Sequence, residues 1–493
     1  MTACVRTMQT IKRGVGKVRT AVVALGVCIA FTLSWWIVIR RKKPLEHVVL
    51  AAVVIFGFLS NLVMVPGIIP DETAHIQTAY RYSNLLLFQP YATENGDILV
   101  RREDAPLSHF SDYTPVKASA WSEMAAEWRF FCSAEGTELV AEPGRDVKTG
   151  FISYVPGAVG IALGRILHLG TWPMIYLARM CNLLAYALLL YWAVRVTPIK
   201  KFMFLLLGLT PMGMQLAGSL SYDVPMIGLG FLFTAYLFRL IYVTEKIGWR
   251  EWISCCVMAF LLFPCKFVYC TLLLLTLLIA PQKFGGRWKK TLFVSCVALS
   301  GLGSLVVSNL PEIAKYLNDL NVMTSAENSR NMELYTLGWL VSHPGETAKI
   351  LLQTVRQDFD FFWMNMLGGR LSVFNPAVNW LLILLVTLVM AAMKTPEDSL
   401  EIPFRHRLVC LGAFLLTFIG TLIIMLVGFT PFGYGVIEGV QGRYFLPVLP
   451  LLFVFLGSKH ITINGDAQRW LTTLVITCNA ASLLEILMWI LQH

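Results

Sequence analysis

Charge is what this sequence lacks most. Only 14% of its 493 residues are charged, against about 25% in an average soluble chain. That scarcity excludes an ordinary water-soluble globular protein. No P-loop, Rossmann fingerprint, Ser-His-Asp signature or zinc-ligand spacing is present. Nucleotide-driven transport and a cytosolic nucleotide-sugar domain are therefore unsupported. There is no internal repeat, no low-complexity tract and no soluble domain with its own core. Cysteine is nearly missing from the large polar stretch 67–150, which holds Cys132 alone. It cannot close a disulfide within itself, and Cys265 is the candidate partner in three dimensions. Most other cysteines lie in or beside apolar segments as small packing residues, and Cys255-Cys256 lacks zinc spacing.

What is abundant is apolar sequence. Hydrophobic residues make up 56% of the chain and fall in blocks of about 15–23, long enough to cross ~30 Å of hydrocarbon as helix. The expected fold is all-α, a polytopic integral membrane protein with about 11–12 membrane helices. Candidate spans are 21–39, 45–66, 173–194, 202–219, 224–243, 252–264, 267–281, 291–309, 378–394, 407–428, 444–457 and 470–490. The pair 252–281 is broken at Phe263-Pro264-Cys265-Lys266, where Pro264 stops the ladder. Three regions are expected: an extension 1–44, a membrane domain 45–460 whose first outer loop is 67–172, and a C-terminal membrane helix within 461–493.

The net charge of +10 comes from short basic loops, not from a nucleic-acid surface. Arg40 to Lys43, Lys200-Lys201, Lys283 to Lys290 and Lys394 to Arg407 are expected on the cytoplasmic side. The 67–150 loop has thirteen acidic and seven basic residues and is expected outside. These assignments agree if 151–168 lies in the interface as a helix instead of crossing. Segment 21–39 has basic clusters on both sides, so either it lies in the interface or one cluster faces out.

Chemistry is suggested first by Pro70-Asp71-Glu72-Thr73-Ala74-His75, placed just where a span ends. Ionisable groups at that depth are costly and mark function. Asp71 and Glu72 read as a catalytic base pair, or equally as the start of a helix. His75 shares a helical face with Asp71. No cofactor motif is present, but Asp71, Glu72 and His75 are also candidate ligands for Mg or Mn. Arg443, Arg179 and Lys266 are candidate phosphate-binding cations. Arg81, Tyr154, Asp223, Glu438, Gln441 and Tyr444 complete the candidate substrate contacts, each with an ordinary structural alternative such as an N-cap, a helix start or a solvated face. Glu485 in the last span reads as a structural or interfacial carboxylate.

Pro70 to His75, then Leu209-Thr210-Pro211-Met212 leading to Ser219-Leu220-Ser221-Tyr222-Asp223, then Gly442-Arg443-Tyr444-Phe445-Leu446-Pro447, resemble the markers of a bacterial family of polytopic membrane proteins, domain of unknown function 2142. The resemblance runs from about residue 45 to about 460. That family resembles in turn the GT-C superfamily of glycosyltransferases, which use polyprenyl-phosphate sugars. The resemblance implies a GT-C-like membrane domain, Asp71 at the catalytic acidic position with Glu72 beside it, 151–169 as an interfacial helix, and Arg179 opening the next span. The second outer loop, about 310–375, lacks an assignable acceptor motif, and no large outer domain is seen in the sequence.

The expected function is transfer of a sugar from a polyprenyl-phosphate donor to an envelope glycan or lipid acceptor, with inversion. The expected place is the outer face of a bacterial plasma membrane. Expected partners are that donor, that acceptor and membrane lipid, with no nucleic acid. A transporter or flippase of lipid-linked sugars, and a non-catalytic subunit of an envelope assembly complex, are the alternatives.

Overall fold

The computed structural model describes residues 44–67, 71–109, 136–145, 150–308, 333–371, 378–396 and 398–492, with Gly26, Cys28, Thr32 and Ile69 besides. Cys132 and nearly all of the 21–39 segment lie outside the described residues. What is described is mostly helical. In chain order the principal helices are α1 (Leu45–Val63), α2 (Glu72–Leu86), α3 (Val155–Ile166), α4 (Thr171–Val196), α5 (Lys201–Gly208), α6 (Pro211–Ala217) and α7 (Asp223–Tyr242). After these come α8 (Trp249–Leu262), α9 (Arg287–Ser308), α10 (Pro344–Leu367), α11 (Val378–Ala391), α12 (Phe404–Gly428), α13 (Leu449–Leu456) and α14 (Gly465–Gln492).

Among the described residues, six helices are long and apolar enough to cross a membrane: α1, α4, α7, α9, α12 and α14. Shorter apolar helices stand beside them at Phe151–Ile166, Phe267–Leu278, Trp380–Ala391 and Gly442–Leu456. The architecture is thus an all-α polytopic membrane protein. The chain turns tightly over Phe267–Leu278, a 3-10 helix of 12 residues. At about 2.0 Å rise per residue it covers ~24 Å, more than the same residues would as α-helix.

The expected span 202–219 is two helices, not one. Thr210 caps α6, its Oγ1 accepting the Gly213 N–H at 3.3 Å, and Pro211 occupies the first turn. Proline has no N–H to continue the ladder from α5. Residues 202–230 are all buried, so α5, α6 and the start of α7 are enclosed by other helices. Gly218 lets this turn lie against α1, because a Cβ there would stand 2.8 Å from the Asn61 backbone N.

Helix α3 folds back antiparallel on the first turns of α4. Glycines permit it: a Cβ at Gly160 would meet Ala178 Cα at 2.4 Å, and one at Gly164 would meet Met174 Cγ at 2.6 Å. Its outward stripe, Val155, Val159, Leu163 and Ile166, is exposed and apolar at helical spacing.

The basic loops gather at one end. Lys200 Nζ bonds Asp398 Oδ2 (3.0 Å) and Met393 O (2.8 Å), and Lys283 Nζ bonds the carbonyls of Leu240 and Ile241. Helix α7 runs from that end to Asp223, roughly 30 Å away. At the Asp223 end the polar loop packs on α2 and α4. Its strands β1 (Ile98–Arg101) and β2 (Leu139–Glu142) pair antiparallel. Asp104 gathers Arg101 (2.6 and 3.1 Å), Tyr80 (2.8 Å) and Thr171 (2.6 Å).

Candidate functional site

Helix α1 ends at Val63, and the chain turns through Gly67, which has φ +86°. Helix α2 then begins at Glu72, with Asp71 in front of it at φ 62°, ψ 3° and making no side-chain cap bond. So a helix does start here, yet the carboxylate of Asp71 is not spent on capping it. A non-glycine residue in the left-handed region costs about 1–2 kcal/mol, and such strain clusters at functional positions. The Asp71 side chain is 54% exposed, with Oδ2 3.9 Å from Arg443 Nη2.

Glu72 is oriented the other way. Its Oε1 accepts from Arg179 Nε (2.9 Å) and Leu220 N (3.0 Å), and its Oε2 from Arg179 Nη2 (2.6 Å) and Gly67 N (2.9 Å). Arg179 also donates to Met64 O (2.6 Å) and Asn61 Oδ1 (3.3 Å). Both side chains are 0% exposed. The expected roles of Glu72 as a catalytic group and Arg179 as a phosphate ligand are therefore corrected. Each saturates the other, and the pair fastens α1, α2, α4 and the turn before α7 together. Arg81 is buried and donates to the carbonyls of Gly96 (3.0 Å), Gly144 (3.0 Å) and Asp97 (3.5 Å), with Nε left without a hydrogen-bond partner. Through these carbonyls it holds the polar loop.

Arg443 enters the site from the other half of the chain. Gly442 makes this possible, since a Cβ there would stand 2.0 Å from Phe362 O. The short helix Gly442–Val448 can therefore press against α10, and Arg443 N bonds Asn365 Oδ1 (3.2 Å). Arg443 Nε lies 2.7 Å from Asp223 Oδ2. The N–H is not directed along that line, so the contact is an ion pair and not an aligned hydrogen bond. Ser221 Oγ donates to the same carboxylate oxygen at 3.3 Å.

Lys266, in the break between α8 and the 3-10 helix, places Nζ 3.0 Å from the Tyr444 ring centroid and 5.5 Å from that of Tyr222. His75 Nδ1 pairs with the Tyr154 hydroxyl at 2.9 Å, and its ring lies 4.7 Å from Tyr222. Gly150 N bonds Pro264 O (3.1 Å), tying the start of the α3 segment to the break that carries Lys266. Asp71, His75, Tyr154, Asp223, Lys266, Arg443 and Tyr444 are thus brought together from five separate parts of the chain.

Four polar atoms in this cluster are buried without a hydrogen-bond partner: His75 Nε2, Asp223 Oδ1, Lys266 Nζ and Arg443 Nε, of which Lys266 Nζ still faces the Tyr444 ring and Arg443 Nε the Asp223 carboxylate. Burial pushes Lys266 down to about 7, against the pull of Asp223 and with help from Arg443. Burial likewise lowers His75 to about 3, so its ring is neutral at physiological pH. Burial raises Tyr222 well above its ordinary value.

Asp71, Glu72 and His75 do not converge as metal ligands. Glu72 is saturated by Arg179 and the His75 Nδ1 by Tyr154. Among the described residues no group of three His, Cys, Asp or Glu side chains is arranged to hold an ion. The Mg or Mn expectation has no donor set among the described residues.

Glu438 and Gln441 lie on the far side of Arg443, lining an open cleft of about 900 Å³ between α10, α6 and the loop before Gly442. Gln215, Asp358, Asn365 and Arg370 line it too. Sequence reasoning missed these four, and it missed Tyr222 as a site residue although Tyr222 lies inside a marker stretch. Glu485 accepts from Trp380 Nε1 at 2.9 Å, away from the cluster.

Residues 54–452, well over half of the chain, match the family described as "Predicted membrane protein (DUF2142)". No curated protein matches the chain, and no solved structure does.

Proposed function

The chain belongs to the DUF2142 family of predicted membrane proteins, and we propose that it is a membrane glycosyltransferase using a polyprenyl-phosphate sugar. One observation carries the reading. His75 Nε2, Asp223 Oδ1 and Lys266 Nζ are buried without hydrogen-bond partners beside Arg443 and Asp71. Buried polar atoms are almost always satisfied, so these atoms are placed to receive a polar, charge-bearing ligand.

In the proposed reaction Asp71 accepts the proton of an acceptor hydroxyl. The hydroxyl oxygen forms a bond to the anomeric carbon while the bond from that carbon to the phosphate oxygen breaks. The electron pair leaves with polyprenyl phosphate, and Lys266 and Arg443 stabilise that charge. Attack without a protein nucleophile inverts the anomeric centre. Asp223 holds Arg443 in place, and His75 stays neutral, so it offers a hydrogen bond and no charge. Glu72 and Arg179 position Asp71 from behind. The proposed location is the outer face of a bacterial plasma membrane, where the acidic loop and this cluster share one end of the helices and the basic loops occupy the other.

The test is deletion of the gene in its host and complementation with wild type or Asp71→Asn at equal membrane levels, followed by envelope-glycan composition and linkage analysis. A sugar lost on deletion, restored by wild type and not by the variant, supports the transferase. Full restoration by Asp71→Asn rejects it and favours transport of a lipid-linked sugar or a non-catalytic subunit.

A further inference from the structure

The cleft beyond Arg443 has a chemistry of its own. Its charged lining is balanced, Asp358 and Glu438 against Arg370 and Arg443. With two carboxylates against two guanidiniums, the lining has no net positive charge to draw an anion. Amides dominate the rest of its polar surface, among them Gln215, Gln357 and Gln441. Each amide both donates and accepts, as do hydroxyl groups on a sugar ring. Gln215 is buried, and its Nε2 has no partner, so a donor is left without an acceptor in the wall of the cleft. Phe361 and Tyr434 add flat apolar faces of the kind that pack against a ring. The volume, about 900 Å³, falls in the range of ligand sites.

We infer that this cleft is the acceptor site and holds a neutral, hydroxyl-rich glycan chain, with Arg443 as the wall it shares with the donor side. The inference rests on the transferase reading for the word acceptor; the glycan-binding claim does not. Arg443 is placed to bridge the two: it contacts Asp223 and Asp71 and also lines the cleft. The cleft is open, and its rim includes the exposed Tyr434, Gly435 and Gly439. A chain longer than the cleft can run out through that rim.

The test is photocrosslinking in cells that carry the full chain. p-Benzoylphenylalanine is placed at Phe361 in one strain, at Tyr434 in a second, and at Phe359 in a third. Phe359 is exposed on the same helix and does not line the cleft. After irradiation the protein is purified, and adducts are read by mass spectrometry and monosaccharide analysis. Glycan adducts are expected at Phe361 and Tyr434 and not at Phe359. They should fall roughly tenfold in the Asp358→Asn, Glu438→Gln double variant, the loss that goes with a charge-assisted hydrogen bond. They should persist in Asp71→Asn, which blocks chemistry and not binding.

Adducts made only of acyl chains or protein, glycan adducts equal at all three positions, or no glycan adduct at either cleft position would overturn the inference. Two probe positions on different elements keep one misfolded variant from deciding the result. Glycan adducts in the cleft together with full activity of Asp71→Asn would reject the transferase while leaving the glycan site standing.

Discussion

Arg443 and Asp223 meet at 2.7 Å in a site where the arginine side chain is 4% exposed and the aspartate 0%. Removing one member of such a pair strands a buried charge. Here the stranding is partial even in the intact protein, because the pair is not an aligned hydrogen bond and Asp223 Oδ1 is unpartnered.

Asp71→Asn is expected to reduce glycan transfer by about 10²–10⁴, the usual worth of a general base, while leaving the thermal midpoint of the purified protein unchanged. The side chain is half exposed, makes no cap bond and meets Arg443 only at 3.9 Å, and an ion pair at such exposure contributes about 0–1 kcal/mol. A matching fall in thermal midpoint would show that the residue is structural.

Glu72→Gln and Arg179→Ala should behave in the opposite way. Each breaks a buried, bidentate pair that also satisfies the backbone of Gly67 and Leu220 or of Met64. The expected cost is about 3–5 kcal/mol, read as a lower midpoint in fluorescence-detected size-exclusion chromatography. Activity per folded molecule should survive far better in these variants than in Asp71→Asn.

Gly442→Ala should misplace Arg443, since the new Cβ would stand 2.0 Å from the Phe362 carbonyl oxygen. Backbone must move, so both stability and transfer should fall. Gly412→Ala is the control: within α12, with nothing within 4 Å of its Cβ, it should be neutral or stabilising by up to ~1 kcal/mol.

The pH profile should carry a limb from Lys266. Burial brings it down to about 7, so it is charged below that pH and neutral above. Binding of the anionic donor should weaken as pH rises through 7. Lys266→Arg should remove that limb, because arginine stays protonated. His75, held at about 3, should add no limb near 6.5. Between about pH 7 and 10.5 the unfolded chain binds this lysine proton more tightly than the folded one. Stability therefore rises with pH across that window in wild type and not in Lys266→Met. A flat activity profile from pH 6 to 8 in wild type would exclude Lys266 as the charged contact.

Much of the membrane architecture was legible in the sequence, because a bilayer imposes length and apolarity on each crossing separately. The break at Pro264 was readable for the same local reason. The break at Thr210-Pro211 was signalled by a capping threonine before proline, but a continuous apolar run hid it. In the site, Asp71, Asp223, Lys266 and Arg443 each announced themselves as charges at the edge of apolar blocks. Their partners did not. Nothing in Glu72 distinguishes a carboxylate aimed at substrate from one aimed at Arg179, because that choice is made by side-chain direction after four elements have packed. Gln215, Asp358 and Arg370 carried no local sign, and their shared cleft exists only once α6 and α10 meet.

The Glu72–Arg179 pair also has a history. Its members are 107 residues apart in the chain. At about 5–20 residues per second of synthesis, the carboxylate waits ~5–20 s before its partner has been made. During that wait the end of α1 carries a bare acid, which is most easily kept in water. Locking of the first loop onto the helices must therefore come after α4 has entered, and the order of insertion is written into which residue neutralises which.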